Sequence, residues 1–346
     1  MEFREYVLQH LALHPAAQMQ DVLKLCYQAA YGGEHLLSDP AAAKVWFDRE
    51  FAQTPPRDIL PCERIGPSVC RLNIAGWKAK ALPGEWLWQL FLQTKPEEAA
   101  GERFRQYLAQ AGQVLENKSQ WEQFLDGYFA AGGGAVHHSG HYREKEQPAY
   151  RIAPGWAEQV LPVLEAAARN LREKGSFLIA IDGRAAAGKT TLASRLEKVL
   201  SAQVVHMDDF FLPPQLRTPQ RLNQAGGNVH YERFLEEVLP GLRGGTVTHR
   251  IFNCGRMDYA GRRNLPPAPI RIVEGAYSCH EAFGGYWDMA VFMDIDAEKQ
   301  LLRLRARNGE AMAQIFRDRW IPMEEQYIRT QQPELWQLRL RNDKGD

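Results

Sequence analysis

Residues 177–190 read Phe177-Leu178-Ile179-Ala180-Ile181-Asp182-Gly183-Arg184-Ala185-Ala186-Ala187-Gly188-Lys189-Thr190. The first five form a continuous apolar run, as expected of a strand buried on both faces. The last eight satisfy G-x-x-x-x-G-K-[ST]. Glycines at the two fixed positions let the backbone curl so that successive N–H groups face one anion. A helix predicted from Lys189 to Leu200 aims its positive end at the same point. Lys189 can reach the β- and γ-phosphates of a nucleotide, and the Thr190 hydroxyl can ligate Mg²⁺. The expected nucleotide contacts are Gly183, Arg184, Ala185, Ala186, Ala187, Gly188, Lys189, Thr190 and Thr191, with ATP and Mg²⁺ as the bound species. A strand directly before the motif and an amphipathic helix directly after it separate it from a chance glycine-rich turn.

Downstream, a second strand is expected at Gln203–His206 and a helix at Tyr231–Leu239. Further strands are expected at Gly245–Ile251, Ile270–Val273 and Met289–Asp294. Strands alternating with helices predict an α/β domain whose parallel sheet is flanked by helices. Upstream the texture differs. Phe3, Val7 and Leu11 share a helical face, Val22 to Ala30 reads as an apolar helix, and Trp86–Phe91 and Phe104–Leu108 suggest two more. Cys70-Arg71-Leu72-Asn73 is strand-like. Gly132-Gly133-Gly134 opens a polar loop that runs to Gln147-Pro148. The reading is a mainly helical N-terminal domain over 1–152 and a phosphate-loop domain over 153–346, with helical periodicity from Trp156 to Arg172 leading into the second.

The 42 Lys and Arg balance the 42 Asp and Glu, giving a formal net charge of zero. A general nucleic-acid binder would carry a basic excess, so no nucleic-acid partner is expected. Five scattered cysteines with no CxxC pair argue against a disulfide framework and fit reduced thiols in a cytoplasmic protein. No apolar run approaches the ~18–20 residues that span a bilayer, so no membrane partner is expected.

Further stretches follow the loop in a set order: Met207-Asp208-Asp209-Phe210-Phe211, Arg271-Ile272-Val273-Glu274-Gly275, the arginine-bearing Leu301–Arg307, and Ile321-Pro322-Met323-Glu324-Glu325-Gln326-Tyr327. With the phosphate loop, these resemble the uridine kinase family, within the wider group of P-loop kinases. The resemblance covers about Phe177 to Tyr327. It implies an ATP- and Mg²⁺-dependent phosphotransferase acting on a hydroxyl of a nucleoside-like or other small metabolite. Asp208 falls at the family's catalytic carboxylate, where it can take the acceptor proton and help hold Mg²⁺. Glu274, ending a strand on the same sheet edge, is a second metal-ligand candidate. Arg303 and Arg307 lie where such kinases carry a lid, four apart and so on one helical face. Asp209 is expected to point away from Asp208.

The acceptor side departs from the family pattern. Where uridine kinases have an acid that holds the ribose, this chain reads Asn228-Val229-His230-Tyr231, and Arg256 follows in a stretch that lacks the family's base contacts. His230 and Arg256 are therefore the expected acceptor contacts, and uridine is expected to be a poor acceptor. In the N-terminal half, His137, His138 and His141 form a histidine-rich loop that, with Glu34 and His35, offers a candidate metal or acid–base site. Two other classes stay open: a nucleotide-dependent switch, and a bifunctional enzyme with separate N-terminal chemistry.

Overall fold

The computed structural model describes residues 2–33, 37–331 and 336–342. Two compact units divide the chain, Met1–Glu165 and Ala166–Asp346.

Unit 1 holds helices α1 (Phe3–Leu13), α2 (Met19–Tyr31), α3 (Pro40–Gln53), α4 (Ile74–Ala79), α5 (Gly84–Leu92), α6 (Ala100–Ala111), α7 (Lys118–Ala130) and α8 (Gly140–Glu146). They surround an antiparallel sheet of β1 (Cys62–Arg64), β2 (Val69–Asn73) and β3 (Tyr150–Pro154), ordered β1-β2-β3. Local sequence explains the helix starts. The Asp39 carboxylate accepts from the Ala41 and Ala42 amides, with Pro40 at the first helical position, where its missing N–H is no loss. Asn73 caps α4, Asn117 caps α7 and Ser139 caps α8 in the same way. The core gathers Phe3 and Val7 of α1, Val22, Leu25, Cys26 and Ala29 of α2, Phe104 and Leu108 of α6, and Ile152 of β3. Part of the loop expected from Gly132 to Pro148 is helical: Ser139 accepts from the Tyr142 amide and starts α8 there.

Helix α9 (Trp156–Lys174) spans the division between the units. Unit 2 continues through β4 (Phe177–Gly183), α10 (Lys189–Leu200), β5 (Gln203–His206), α11 (Pro219–Leu222), α12 (Tyr231–Glu237), β6 (Val247–Asn253), β7 (Asp258–Leu265), β8 (Ile270–Glu274), β9 (Met289–Asp294), α13 (Ala297–Asn308), α14 (Glu310–Ile315), α15 (Ile321–Gln331) and β10 (Leu338–Arg341). Five strands form one sheet in the order β10-β9-β4-β8-β5, and every neighbouring pair is parallel. All residues of β4, β8 and β9 are buried, as a parallel sheet covered on both faces requires. The expected strand near Gly245–Ile251 exists as β6 but lies outside this sheet. It pairs with β7 as an antiparallel ribbon, because only the four-residue turn 254–257 separates the two and a parallel pairing needs a long crossover.

One buried carboxylate ties this unit together. Asp182, 1 % exposed, accepts from the amides of Gly183 and Tyr277 at Oδ1 and from the Cys279 amide and the Tyr327 hydroxyl at Oδ2, at 2.6–3.0 Å. Asp182→Ala would strand four donors in a dry interior, where each orphaned group costs ~1–3 kcal/mol. A loss of at least ~3 kcal/mol in urea unfolding of unit 2 is expected, and an unchanged midpoint would refute this role.

Candidate active site

At the end of β4 the chain turns into the phosphate loop with no room for side chains. Gly183 has φ +128°, and a Cβ there would run into the Met293 carbonyl of β9. Gly188 has φ +95° and lies against the Asn342 side chain. Between them Ala186 takes the left-handed conformation at φ +58°. Lys189 Nζ donates to the carbonyls of Gly183 and Arg184, at 2.8 and 2.9 Å. Thr190 Oγ1 lies 3.2 Å from Glu274 Oε2, and Glu274 Oε1 is 2.6 Å from His206 Nδ1. That hydrogen bond raises the His206 pKa against the opposing effect of burial.

Asp208 and Asp209 part company directly after β5. Asp208 is solvent-accessible and lines a cavity of about 1140 Å³ with Lys189, Thr190 and Glu274. Partial desolvation in the cleft, then the Glu274 charge, raise its pKa. Asp209 is buried. Its Oδ2 pairs with His249 Nε2 of β6 at 2.9 Å and lies 3.4 Å from Arg263 Nε of β7, so Asp209 anchors the ribbon.

Helix α13 brings Arg303 and Arg307 to the same cavity, while Arg305 pairs outside it with Glu310 at 3.1 Å. Arg303 donates to the Ala186 carbonyl at 3.1 Å. Arg184 is turned away from the loop mouth: its guanidinium binds Glu325 at 2.7 and 2.9 Å and Asp294 at 2.5 Å.

Glu324 is a residue that sequence reasoning missed. Its two oxygens accept from the Ala185 amide at 2.8 and 3.0 Å, so a carboxylate occupies one of the loop's anion-binding N–H groups. Burial pushes its pKa up to about 7. The stretch Pro322–Tyr327 was visible as a motif, but nothing local says that α15 docks on a loop some 140 residues away.

The residues expected to contact the acceptor, His230 and Arg256, lie at the start of α12 and in the ribbon turn. His230 is the N-cap of α12, its Nδ1 accepting from the Arg233 amide and lying 3.3 Å from Glu232. Arg256 is exposed in the ribbon turn. Neither is among the residues lining the cavity; Arg217, Asn228 and Cys254 are. The imidazole is drawn off because an unsatisfied helix N-terminus is the nearer partner.

In unit 1 the three loop histidines do not converge. His137 and His141 are exposed and His138 is buried, and Glu34 and His35 lie outside the described residues. His138 joins a chain instead. Arg71 donates to Gln28 Oε1 at 2.8 and 3.0 Å, Gln28 Nε2 to the Tyr150 hydroxyl at 3.2 Å, and Tyr150 pairs with His138 Nε2 at 2.6 Å. His138 Nδ1 faces Asp21 at 2.7 Å.

No protein-family model matches the chain. Among solved structures, a possible uridine kinase from Bacillus stearothermophilus is similar over 48% of this chain and 88% of its own, with 18% identity and a TM-score of 0.36. D-glycerate 3-kinase from Cryptococcus neoformans is similar over 47% of this chain and 85% of its own, with 16% identity and a TM-score of 0.35. The functional reading therefore rests on the loop and its cavity.

Because Glu324 competes for the loop, ATP binding should depend on pH. Below about pH 7 the carboxyl is protonated and neutral to incoming phosphates; above it, the anion repels them and holds Ala185. Calorimetric ATP affinity should fall about tenfold between about pH 6 and about pH 8. Glu324→Gln should flatten most of that slope, and a variant slope equal to wild type would exclude Glu324 as its cause.

Proposed function

We propose that unit 2 is an ATP- and Mg²⁺-dependent kinase that moves the γ-phosphoryl group to a hydroxyl of a small metabolite. The observation that carries this reading is one cavity lined at once by the phosphate loop, a free carboxylate at Asp208, and Arg303 and Arg307. A nucleotide switch needs the loop but has no use for an acceptor base.

Thr190 Oγ1, Asp208 and Glu274 offer hard oxygen donors in one place, with Thr190 and Glu274 3.2 Å apart, which suits Mg²⁺. Mg²⁺ supplies charge neutralisation on the β- and γ-phosphate oxygens. The backbone amides of the loop and Lys189 hold the β- and γ-phosphates. Asp208 takes the proton of the acceptor hydroxyl as its oxygen bonds to the γ-phosphorus and the bond to the leaving diphosphate oxygen breaks. Arg303 and Arg307 stabilise the charge on the transferring group.

Arg217 supports an anionic acceptor. Its Nε donates to the Leu212 carbonyl at 2.8 Å. Among the described residues no carboxylate pairs with it, and it faces the cavity. A guanidinium held this way favours a carboxylate or phosphate on the acceptor.

Lys189→Ala should abolish phosphoryl transfer, and Asp208→Asn should keep ATP binding while kcat falls ~10²–10⁴-fold. Asp209→Asn should lower stability and spare most of kcat; the reverse ranking of the two Asp variants would sink the assignment of the base. In a coupled assay with ATP and Mg²⁺, uridine should be a poor acceptor beside small anionic alcohols. Arg217→Leu should raise KM for the anionic acceptor at least ~10-fold. Efficient turnover of uridine, untouched by Arg217→Leu, would overturn the acceptor class.

A further inference from the structure

Helix α1 carries a pair of histidines at helical spacing. His10 lies in its last turn and His14 is its C-cap, with the His14 amide bonded to the His10 carbonyl at 2.9 Å. The register therefore continues to His14 and places both rings on one side, tilted to each other with centroids 4.7 Å apart. Strand β1 brings Glu63 against them: His10 Nδ1 lies 2.6 Å from Glu63 Oε1, and His14 Nε2 lies 3.3 Å from Glu63 Oε2. One atom from each of these three residues falls within 4.8 Å of the other two.

We propose that His10, His14 and Glu63 form a binding site for a divalent transition metal, with zinc the fitting ion. Donor atoms of a tetrahedral zinc, at 2.0–2.1 Å from the ion, stand about 3.3 Å apart, so the 3.3 Å His14–Glu63 spacing already matches and the 2.6 Å His10–Glu63 pair needs to open by about 0.7 Å. Two imidazoles and a carboxylate are a donor set that binds this class of ion rather than Mg²⁺ or Ca²⁺. The surrounding groups fit as well. His14 Nδ1 is 3.3 Å from Glu146 Oε2, so the ring can donate there while Nε2 keeps its lone pair for the metal, the orientation that an outer carboxylate imposes on a ligating histidine. Glu146 is itself held by the Ala16 amide at 3.4 Å. Arg71 Nη1 is 3.6 Å from Glu63 Oε2 and 3.4 Å from His10 Nδ1, and the rest of its guanidinium is bound to Gln28, so a fixed cation borders the two ligands. His14 and Glu63 keep side-chain exposures of 24% and 16%, an entry path for the ion. Three protein ligands leave a fourth position for water, as in catalytic rather than closed structural zinc sites. The site is independent of the kinase reading.

The test is calorimetric titration of Zn²⁺ into the full-length, EDTA-treated, nucleotide-free protein, with Co²⁺ as a spectroscopic substitute. Wild type should bind about one equivalent, and Co²⁺ should give the intense visible bands of a four-coordinate site. His14→Ala should remove that equivalent and His141→Ala, in the exposed loop, should keep it. Glu146→Gln removes no ligand, only the partner of His14 Nδ1, and should retain the fold by circular dichroism while weakening Zn²⁺ ~10–100-fold. A wild type with no stoichiometric uptake, or uptake undiminished in either His14→Ala or Glu146→Gln, overturns the proposal.

Discussion

The phosphate loop stands where it does because Asp182 has four donors to satisfy. Burial raises the pKa of its carboxyl, with the Tyr327 hydrogen bond the largest opposing effect. The same oxygens fix the amide that opens the loop, the turn after β8, and α15. Once Tyr327 is held, the preceding turn of α15 has no freedom. Glu324, three residues earlier, falls on the Ala185 amide, and Glu325 on the Arg184 guanidinium. A low-dielectric interior makes such a network stiff when every member is paired. It also makes the loop depend on residues far along the chain.

The charge balance of the cavity follows from that docking. Asp208, Glu274 and Glu324 face Lys189, Arg303 and Arg307 across one space. Desolvation in the cleft, then the neighbouring Glu274 charge, raise the Asp208 pKa. In the kinase reading proposed above, a polyanion with a dication would answer both sets, the metal meeting the carboxylates and the phosphates the cations. Whole-chain neutrality thus hides a site of strong and opposite local fields, which composition cannot reveal.

What the sequence displayed was local. The apolar run, loop and helix of 177–200 need no distant information, and the i,i+4 spacing of Arg303 and Arg307 is enough to put them on one face. Asp208 and Asp209 follow β5 in a single 3-10 turn, Met207–Phe210, that leaves the first exposed and the second buried. Strands β7 and β10 were not readable, since Asp258–Leu265 and Leu338–Arg341 are polar, alternating and largely exposed. Nor was Glu324, whose role exists only after α15 docks. His230 caps α12, and a helix cap and a substrate ligand can use the same imidazole nitrogen, so sequence alone does not distinguish the two roles. In unit 1 the dense His137–His141 stretch runs from a loop into the start of α8, whereas the sparser His10 and His14 have the helical register that puts two rings side by side.

Unit 1 shows the same economy of buried charge as unit 2. Arg71 is 2 % exposed and is surrounded by Gln28, Tyr150 and Glu63. One set of proton positions satisfies the whole chain. Arg71 donates to Gln28, Gln28 to Tyr150, Tyr150 to His138, and His138 to Asp21. Burial lowers the His138 pKa to about 4, so its ring is neutral at physiological pH. Burial alone would raise the Asp21 pKa, but hydrogen bonds from His138 and Ser139 outweigh it and hold the carboxyl at about 2. The chain thus runs from a fixed cation to a fixed anion, each dipole aligned with the field between them, so no link can reverse without leaving a buried group unpaired. Arg71 sets the direction at one end and also braces Glu63. The histidine–glutamate cluster therefore hangs from a network whose polarity is already fixed, which pre-orients its ligands before any ion arrives.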